Sequence, residues 1–235
     1  MNKKEIKDYI KQNAFTKPFY KVYKVIKDIP RNRRREKGRK IFIDSGESVM
    51  RDVQKIISSC ENIEFFFAYG TLLGIIRDGK LLGRDMDLDM VVLLDHDEDI
   101  NRFRDYVVKK GFKRLHSFSV DGVGINQDAF LYKNIMIDIN YAKTNGSKKY
   151  NYNFYDLPEE KNKILIFPFT YTRSVKYKFN DFDVNVPENP ELYLEETYGK
   201  DWRIPNPKYI YWENPQTIKT ELTGKIEIIN ELEFH

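Results

Sequence analysis

Three aspartates alternate with apolar residues in Asp85-Met86-Asp87-Leu88-Asp89-Met90, which runs straight into Val91-Val92-Leu93-Leu94. On a strand the side chains repeat every second residue. Asp85, Asp87 and Asp89 therefore share one face, and Met86, Leu88 and Met90 the other. Like charges this close repel, and burying them unpaired costs several kcal/mol. A divalent cation relieves the conflict, and an oxygen-only donor set suits Mg²⁺ or Mn²⁺. Further along, Asn134 to Tyr141 reads NIMIDINY. There Ile135, Ile137 and Ile139 fall on one face and Met136, Asp138 and Asn140 on the other. An acid inside an apolar strand is rare unless it is paired with Arg or Lys or bound to a metal.

Ahead of the acids, Ile63 to Ala68 is a short aromatic run that predicts a buried strand. Tyr69-Gly70-Thr71 then turns the chain into a short helix, Leu72 to Arg77. Backbone N–H groups at a Gly-Thr helix start can receive phosphate oxygens. A phosphate cradle followed by an Asp-x-Asp strand is what phosphoryl or nucleotidyl transfer needs. The competing reading is a solvated edge strand that happens to carry Asp outward. The buried VVLL run and the Gly-Thr turn argue against it. Arg77 is the nearest cation for charge developing on a phosphate. Lys176 and Lys178 share a strand face and either meet donor phosphates or form a solvated surface. His96, His116 and His235 lie outside every motif.

These residues need elements to hold them. Phe19 to Ile29 predicts an amphipathic helix ended by Pro30, with another over Lys3 to Asn13 before Pro18. Ser45 predicts the N-cap of a helix burying Val49, Val53, Ile56, Ile57 and Cys60. Glu98 to Lys110 predicts a helix stopped by Gly111. Strands are expected over Phe112–Val120 and Asp128–Tyr132, around the turn DGVGIN. Lys143 to Glu160 reads as a polar surface loop or lid. Thr170 to Val186 reads as a hairpin turning near Asn180-Asp181. Pro190 to Tyr198 predicts a helix ended by Gly199, Trp202 a packing residue, and Pro205 to Pro215 an extended segment. Ile218 to Leu232 reads as a last helix or strand.

Composition is globular, 41% hydrophobic and 14% aromatic. No apolar run approaches the length of about 18 residues that spans a bilayer, and the N-terminus has no apolar signal core. A cytoplasmic location follows as the expectation. The single Cys60 excludes an intrachain disulfide and a Cys-based zinc site. Net charge is +4, yet Lys17 to Lys40 holds eleven Lys and Arg against Asp28 and Glu36, so the remainder is net acidic. This basic stretch predicts either an arm docked on the domain or attachment to an anionic membrane surface. No nucleic-acid motif accompanies it, so no nucleic-acid partner is expected.

The stretch YGTLLGIIRDGKLLGRDMDLDM resembles the signature of the LicD/fukutin-type proteins, a branch of the nucleotidyltransferase-fold superfamily. VPENPELYLEETYGKDWRIPNP, Val186 to Pro207, is similar to the segment that closes their domain. The resemblance covers the chain from near Asp44 to Pro207. It implies an α/β (α+β) fold: a nucleotidyltransferase-like mixed sheet flanked by helices, with an N-terminal helical arm. The organisation expected is a basic arm over 1–40, the transferase domain over 41–215, and a C-terminal tail or helix over 216–235. The resemblance implies that Asp87 and Asp89 hold Mg²⁺ or Mn²⁺, and that Asp138 completes the site or accepts the acceptor hydroxyl's proton. It implies that Gly70 and Thr71 contact donor phosphate. Asp85 matches an acid of the family pattern that orients the site or binds metal. The family usually has an aromatic residue before that acid; here Arg84 follows Gly83. The activity implied is transfer of phosphocholine, ribitol phosphate or glycerol phosphate from a CDP-activated alcohol donor to a hydroxyl of a glycan or lipid-linked glycan, with release of CMP. The rivals are addition of a nucleotide to a small molecule or RNA end, and an inactive glycan-assembly scaffold.

Overall fold

The computed structural model of the chain describes residues 17–146, 148–154, 163–214 and 216–230. Helix α1 runs from Lys17 to Ser58. The expected stop at Pro30 and fresh start at Ser45 do not occur. A proline inside a helix costs about 3 kcal/mol, but the Arg, Lys and Glu that follow are strong helix formers. Phe42, Val49, Met50, Val53 and Ile57 then form one buried face that needs an unbroken helix beneath it. Gly46 sits where the Leu81 side chain crosses that face: a Cβ there would lie 2.9 Å from Leu81 Cδ1. The helix expected over 3–13 lies outside the described residues.

The chain continues through β1 (Phe65–Phe67), α2 (Tyr69–Leu73) with a π-helical turn (Gly74–Asp78), β2 (Asp87–Leu93), and α3 (Asp97–Lys109). Four strands follow: β3 (Lys113–Val120), β4 (Gly124–Tyr132), β5 (Ile135–Asn145) and β6 (Lys148–Phe154). Then come β7 (Lys163–Phe169), β8 (Ser174–Phe179), β9 (Phe182–Pro187), α4 (Pro190–Tyr198) and β10 (Ile218–Ile228). The stretch expected as a loop or lid from Lys143 is instead the end of β5 and all of β6, with 155–160 outside the described residues. Its alternating Asn and Tyr make a strand with Asn151 turned inward, 2% exposed. Strand β7 was not foreseen. The segment expected to be extended after Pro205 contains a 3₁₀ turn at Tyr211–Glu213. Of the helix or strand expected from Ile218, the structure has the strand, and Ile218–Ile228 joins the sheet instead of trailing from the domain as a tail.

The eight-stranded sheet has the order β1-β2-β5-β4-β3-β10-β7-β6 and returns on itself where β5 also pairs with β6. Only β2 and β5 run parallel within it, joined by α3 and the β3–β4 hairpin. The β8–β9 hairpin forms a separate two-stranded sheet turning at Asn180, whose φ is 52°.

The core lies under β1, β2 and β5, where α1, α2 and α4 cover it. Phe65, Phe66 and Phe67 are each 1% exposed or less, and burying such a side chain is worth about 2 kcal/mol. Phe66 stacks on Tyr171 at 5.3 Å and meets Tyr193 edge-on at 5.3 Å. Trp202 is buried in the same cluster, as its packing role predicted. A smaller cluster of Phe118, Val120 and Ile164 sits under β3, β7 and β10. Among the described residues no helix is long and apolar enough to cross a membrane.

Candidate active site

The parallel pairing of β2 with β5 sets the register Asp87 to Met136 and Asp89 to Asp138. Register partners share a sheet face, so Asp89 and Asp138 stand side by side and Asp87 lies two residues along. One carboxylate oxygen from each of the three lies within 4.8 Å of the others. Of the acids the alternation singled out, Asp87, Asp89 and Asp138 come together, while Asp85, expected on the same strand face, lies ahead of the strand.

Asp89 is fixed through its backbone. Its N–H donates to Thr71 Oγ1 at 2.8 Å and its carbonyl accepts from Ala68 N–H at 3.0 Å. The Thr71 side chain, 3% exposed, therefore anchors the acid strand. Gly70 has a steric reason to be glycine: a Cβ there would lie 2.8 Å from Asp85 Oδ2 and 3.4 Å from Asp89 Oδ2. Asp85 precedes β2 and is held by a turn in which its N–H donates to Leu82 O at 3.0 Å.

Crowding leaves its mark on these acids. Burial, then the charge of Asp87, pushes the Asp138 carboxyl up to about 8. Burial and Asp87 likewise push Asp85 up to about 6. Burial raises Asp87, and burial followed by the charges of Asp87, Asp138 and Asp85 raises Asp89 well above the usual carboxylate range. Asp138 Oδ1 is buried without a hydrogen-bond partner among the described residues. The contrast is Asp128 on the neighbouring strand β4. Arg104 grips it with Nε at 2.6 Å and Nη2 at 2.7 Å, and Tyr141 donates to it at 2.7 Å. One buried acid is thus fully paired by protein, while Asp138 keeps an orphaned oxygen. Three oxygen donors in mutual reach, one of them unsatisfied, fit a divalent cation.

The other residues singled out from sequence are dispersed. Arg77 forms a two-point pair with Asp78 at 2.7 and 3.0 Å. It lines a cleft beside the acids together with Arg84, Tyr198, Trp202 and Tyr209. Lys176 and Lys178 are not brought to the acids. Lys176 donates to Asn185 Oδ1 at 2.7 Å, and Lys178 lies 3.8 Å from Asp183. Asn185 in turn bonds the carbonyl of Phe65, at the end of β1 remote from Ala68.

Sequence reasoning missed the supports of the site. Tyr69 opens α2 with a φ of 44°, an unusual conformation for a bulky residue. Its hydroxyl accepts from Asn151 Nδ2 at 2.6 Å, and its ring meets Tyr193 edge-on at 6.1 Å. Burial and the nearby charge of Asp89 raise its pKa. The signal for Asn151 was the Asn/Tyr alternation of β6; Tyr198 falls in the Val186–Pro207 segment that carries the resemblance, and nothing local marked Tyr209.

No curated protein matches the chain. The family model described as LicD/FKTN/FKRP, nucleotidyltransferase domain, matches residues 62–189.

Proposed function

As the chain belongs to the LicD/FKTN/FKRP nucleotidyltransferase-domain family, whose model covers more than half of it, we propose that it moves a substituted phosphate from a CDP-activated alcohol to a glycan hydroxyl. Family membership makes it a transferase of the phosphotransferase type in glycan modification. The finer reading rests on one observation: Asp87, Asp89 and Asp138 converge within 4.8 Å, with Asp138 Oδ1 unpaired. These acids would hold Mg²⁺ or Mn²⁺, which supplies charge neutralisation for phosphoryl oxygens.

The chain's own residues do the rest. Thr71 and Ala68 pin Asp89 at a fixed height on β2. Gly70 leaves room for Asp85 and Asp89 to approach α2. The Asn151–Tyr69 bond and the edge-on packing of Tyr69 on Tyr193 hold the start of α2 against the sheet. Rigid placement of the acids is what transfer from the departing CMP phosphate oxygen to a glycan hydroxyl oxygen requires. The basic arm over 1–40 is proposed to rest on an anionic membrane surface, bringing the site to a lipid-linked glycan. Arg35, Lys37, Arg39 and Lys40 are exposed on α1.

The test is the mass of the acceptor after incubation with CDP-ribitol, CDP-glycerol or CDP-choline and a divalent cation. The reading expects equimolar CMP and an acceptor heavier by the alcohol phosphate. An acceptor carrying a nucleotide would replace it with nucleotidyl transfer. No change with any activated donor would favour the scaffold.

A further inference from the structure

Strand β10 changes partner along its length. Its first part, residues 218–223, pairs with β7, and residues 224–228 pair with β3. Among the described residues, no strand pairs with the other edge of residues 224–228. The Thr223 carbonyl accepts from the Asp121 N–H at 2.9 Å, and the Ile229 N–H donates to Leu115 O at 2.8 Å. The odd-numbered residues here thus turn their backbone groups toward β3. That direction alternates along an antiparallel strand, so Gly224, Ile226 and Ile228 turn theirs to the outer edge. Such an edge is a template for another strand.

The side chains of this edge say what fits it. Ile226 is 54% exposed and Ile228 69%, and both stand on one face. Lys225 and Glu227 are exposed on the other. A proline or a bulge would blunt the edge, but the stretch holds neither, and its register against β3 is unbroken. A second copy related by a twofold axis perpendicular to the sheet presents the same strand antiparallel, with every residue kept on its own face. Three registers then centre on the stretch. Centring on Lys225 sets lysine against lysine, and centring on Glu227 sets glutamate against glutamate. Centring on Ile226 sets Lys225 against Glu227 at two places, Ile226 against Ile226, and each Ile228 against the bare backbone of Gly224. Opposed unlike charges favour a strand pair and opposed like charges disfavour it, so this edge is complementary to itself in one register.

We propose that residues 224–228 pair with the same residues of a second copy of this chain, antiparallel and centred on Ile226. The register carries the face across the sheet: Ile228 lies opposite His116, His116 opposite Ala129, Ala129 opposite Asp138, and Asp138 opposite Asp89. Register partners share a face, so the exposed isoleucines stand on the acid-bearing face. The pairing therefore joins two sheets whose acids lie on the same face. It holds whatever reaction the acids perform.

The experiment is sedimentation equilibrium of the full chain over a range of concentrations. The wild type is expected to form a dimer. Lys225→Glu and Glu227→Lys should each weaken it about tenfold, because each turns two attractive pairs into two repulsive ones. The two changes move the net charge in opposite directions, so a loss common to both reports the contact and not the overall charge. The double variant Lys225→Glu/Glu227→Lys restores the opposition and should regain the wild-type dissociation constant. Both side chains are exposed, and thermal unfolding of each variant checks that the fold is kept. A monomer at every concentration, whether another segment of the chain or an unrelated partner takes the edge, overturns the proposal. So do single variants that dimerise like the wild type, or a double variant no tighter than the singles.

Discussion

Stripped of divalent cations, the protein should become less stable as pH rises. Asp138 is pushed up to about 8 by burial and then by the charge of Asp87, whereas an unfolded aspartate titrates at about 3.9. A carboxyl raised in this way keeps a proton in the folded state that the unfolded chain has released. Its stability contribution is complete below the unfolded value, falls through the window and levels off above the folded one. At about 1.4 kcal/mol per unit, the loss from about pH 6 to about pH 8 is about 2 kcal/mol for Asp138 alone. Asp85, raised only to about 6, has lost most of its contribution below that window. For a chain of this size the loss corresponds to a fall of about 4–8 °C in Tm. The assay is thermal unfolding in a chelator at both ends of the window. Asp138→Asn should flatten the profile. Mg²⁺ or Mn²⁺ added at the upper pH should restore the wild-type Tm but leave the variant unchanged. A wild-type Tm that is flat or rises with pH in the chelator would refute the reasoning, as would a variant that keeps the wild-type slope.

Asp89→Asn should abolish transfer while leaving the metal-free Tm no lower than wild type, because it removes one of the repelling charges; transfer with Mg²⁺ at near wild-type rate would sink the assignment. Gly70→Ala forces a Cβ to 2.8 Å from Asp85 Oδ2 and should weaken Mn²⁺ binding by about tenfold or more, measured by calorimetry. Gly224→Ala puts a Cβ 2.5 Å from Ser119 O and should cost about 1–3 kcal/mol in urea unfolding, with the cation site unaffected. A chain beginning at residue 41 should keep hydrolysis of the nucleotide donor and lose binding to anionic vesicles. High salt should do the same to the intact chain, since the Debye length falls to about 3 Å at 1 M; salt-resistant binding by the shortened chain contradicts the arm's role.

The acids were legible because their spacing matches a strand's period and their neighbours are apolar, so one local rule fixed both element and face. Asp138 was legible for a related reason: an unpaired charge among isoleucines has few physical excuses. The hairpin at Asn180 and the helix from Pro190 carry their own turn and cap chemistry, and the Asn189 side chain accepts from the Leu192 N–H at 3.1 Å. What failed to show was decided by tertiary contact. Ser45 has the chemistry of an N-cap, but the buried face from Phe42 to Ile57 outweighs it. Asn151 reads as a loop residue until Tyr69, far away in sequence, supplies its partner. Lys176 has the charge to meet a phosphate, yet its place on the β8–β9 hairpin gives it Asn185 instead. The wall of the cleft joins residues 77 and 84 to residues 198 and 209, and no local pattern announces a meeting at that separation.

Strand β10 comes later in the chain than both strands it joins. It lies between β3 and β7, so during synthesis the two wait with bare edges until Ile218–Ile228 emerges. Strands β2 and β5, with the acids they carry, are made well before that moment. The reaction centre can therefore form in a nascent chain whose sheet still has an open seam. Bare edges are templates for other chains, and non-local closure of this kind is slow. Crowded synthesis should accordingly expose this seam, and not the acid site, as the place where two copies exchange a strand. Cross-linking between β3 of one copy and β10 of another in aggregates made at high expression would reveal that exchange, and its absence would count against it.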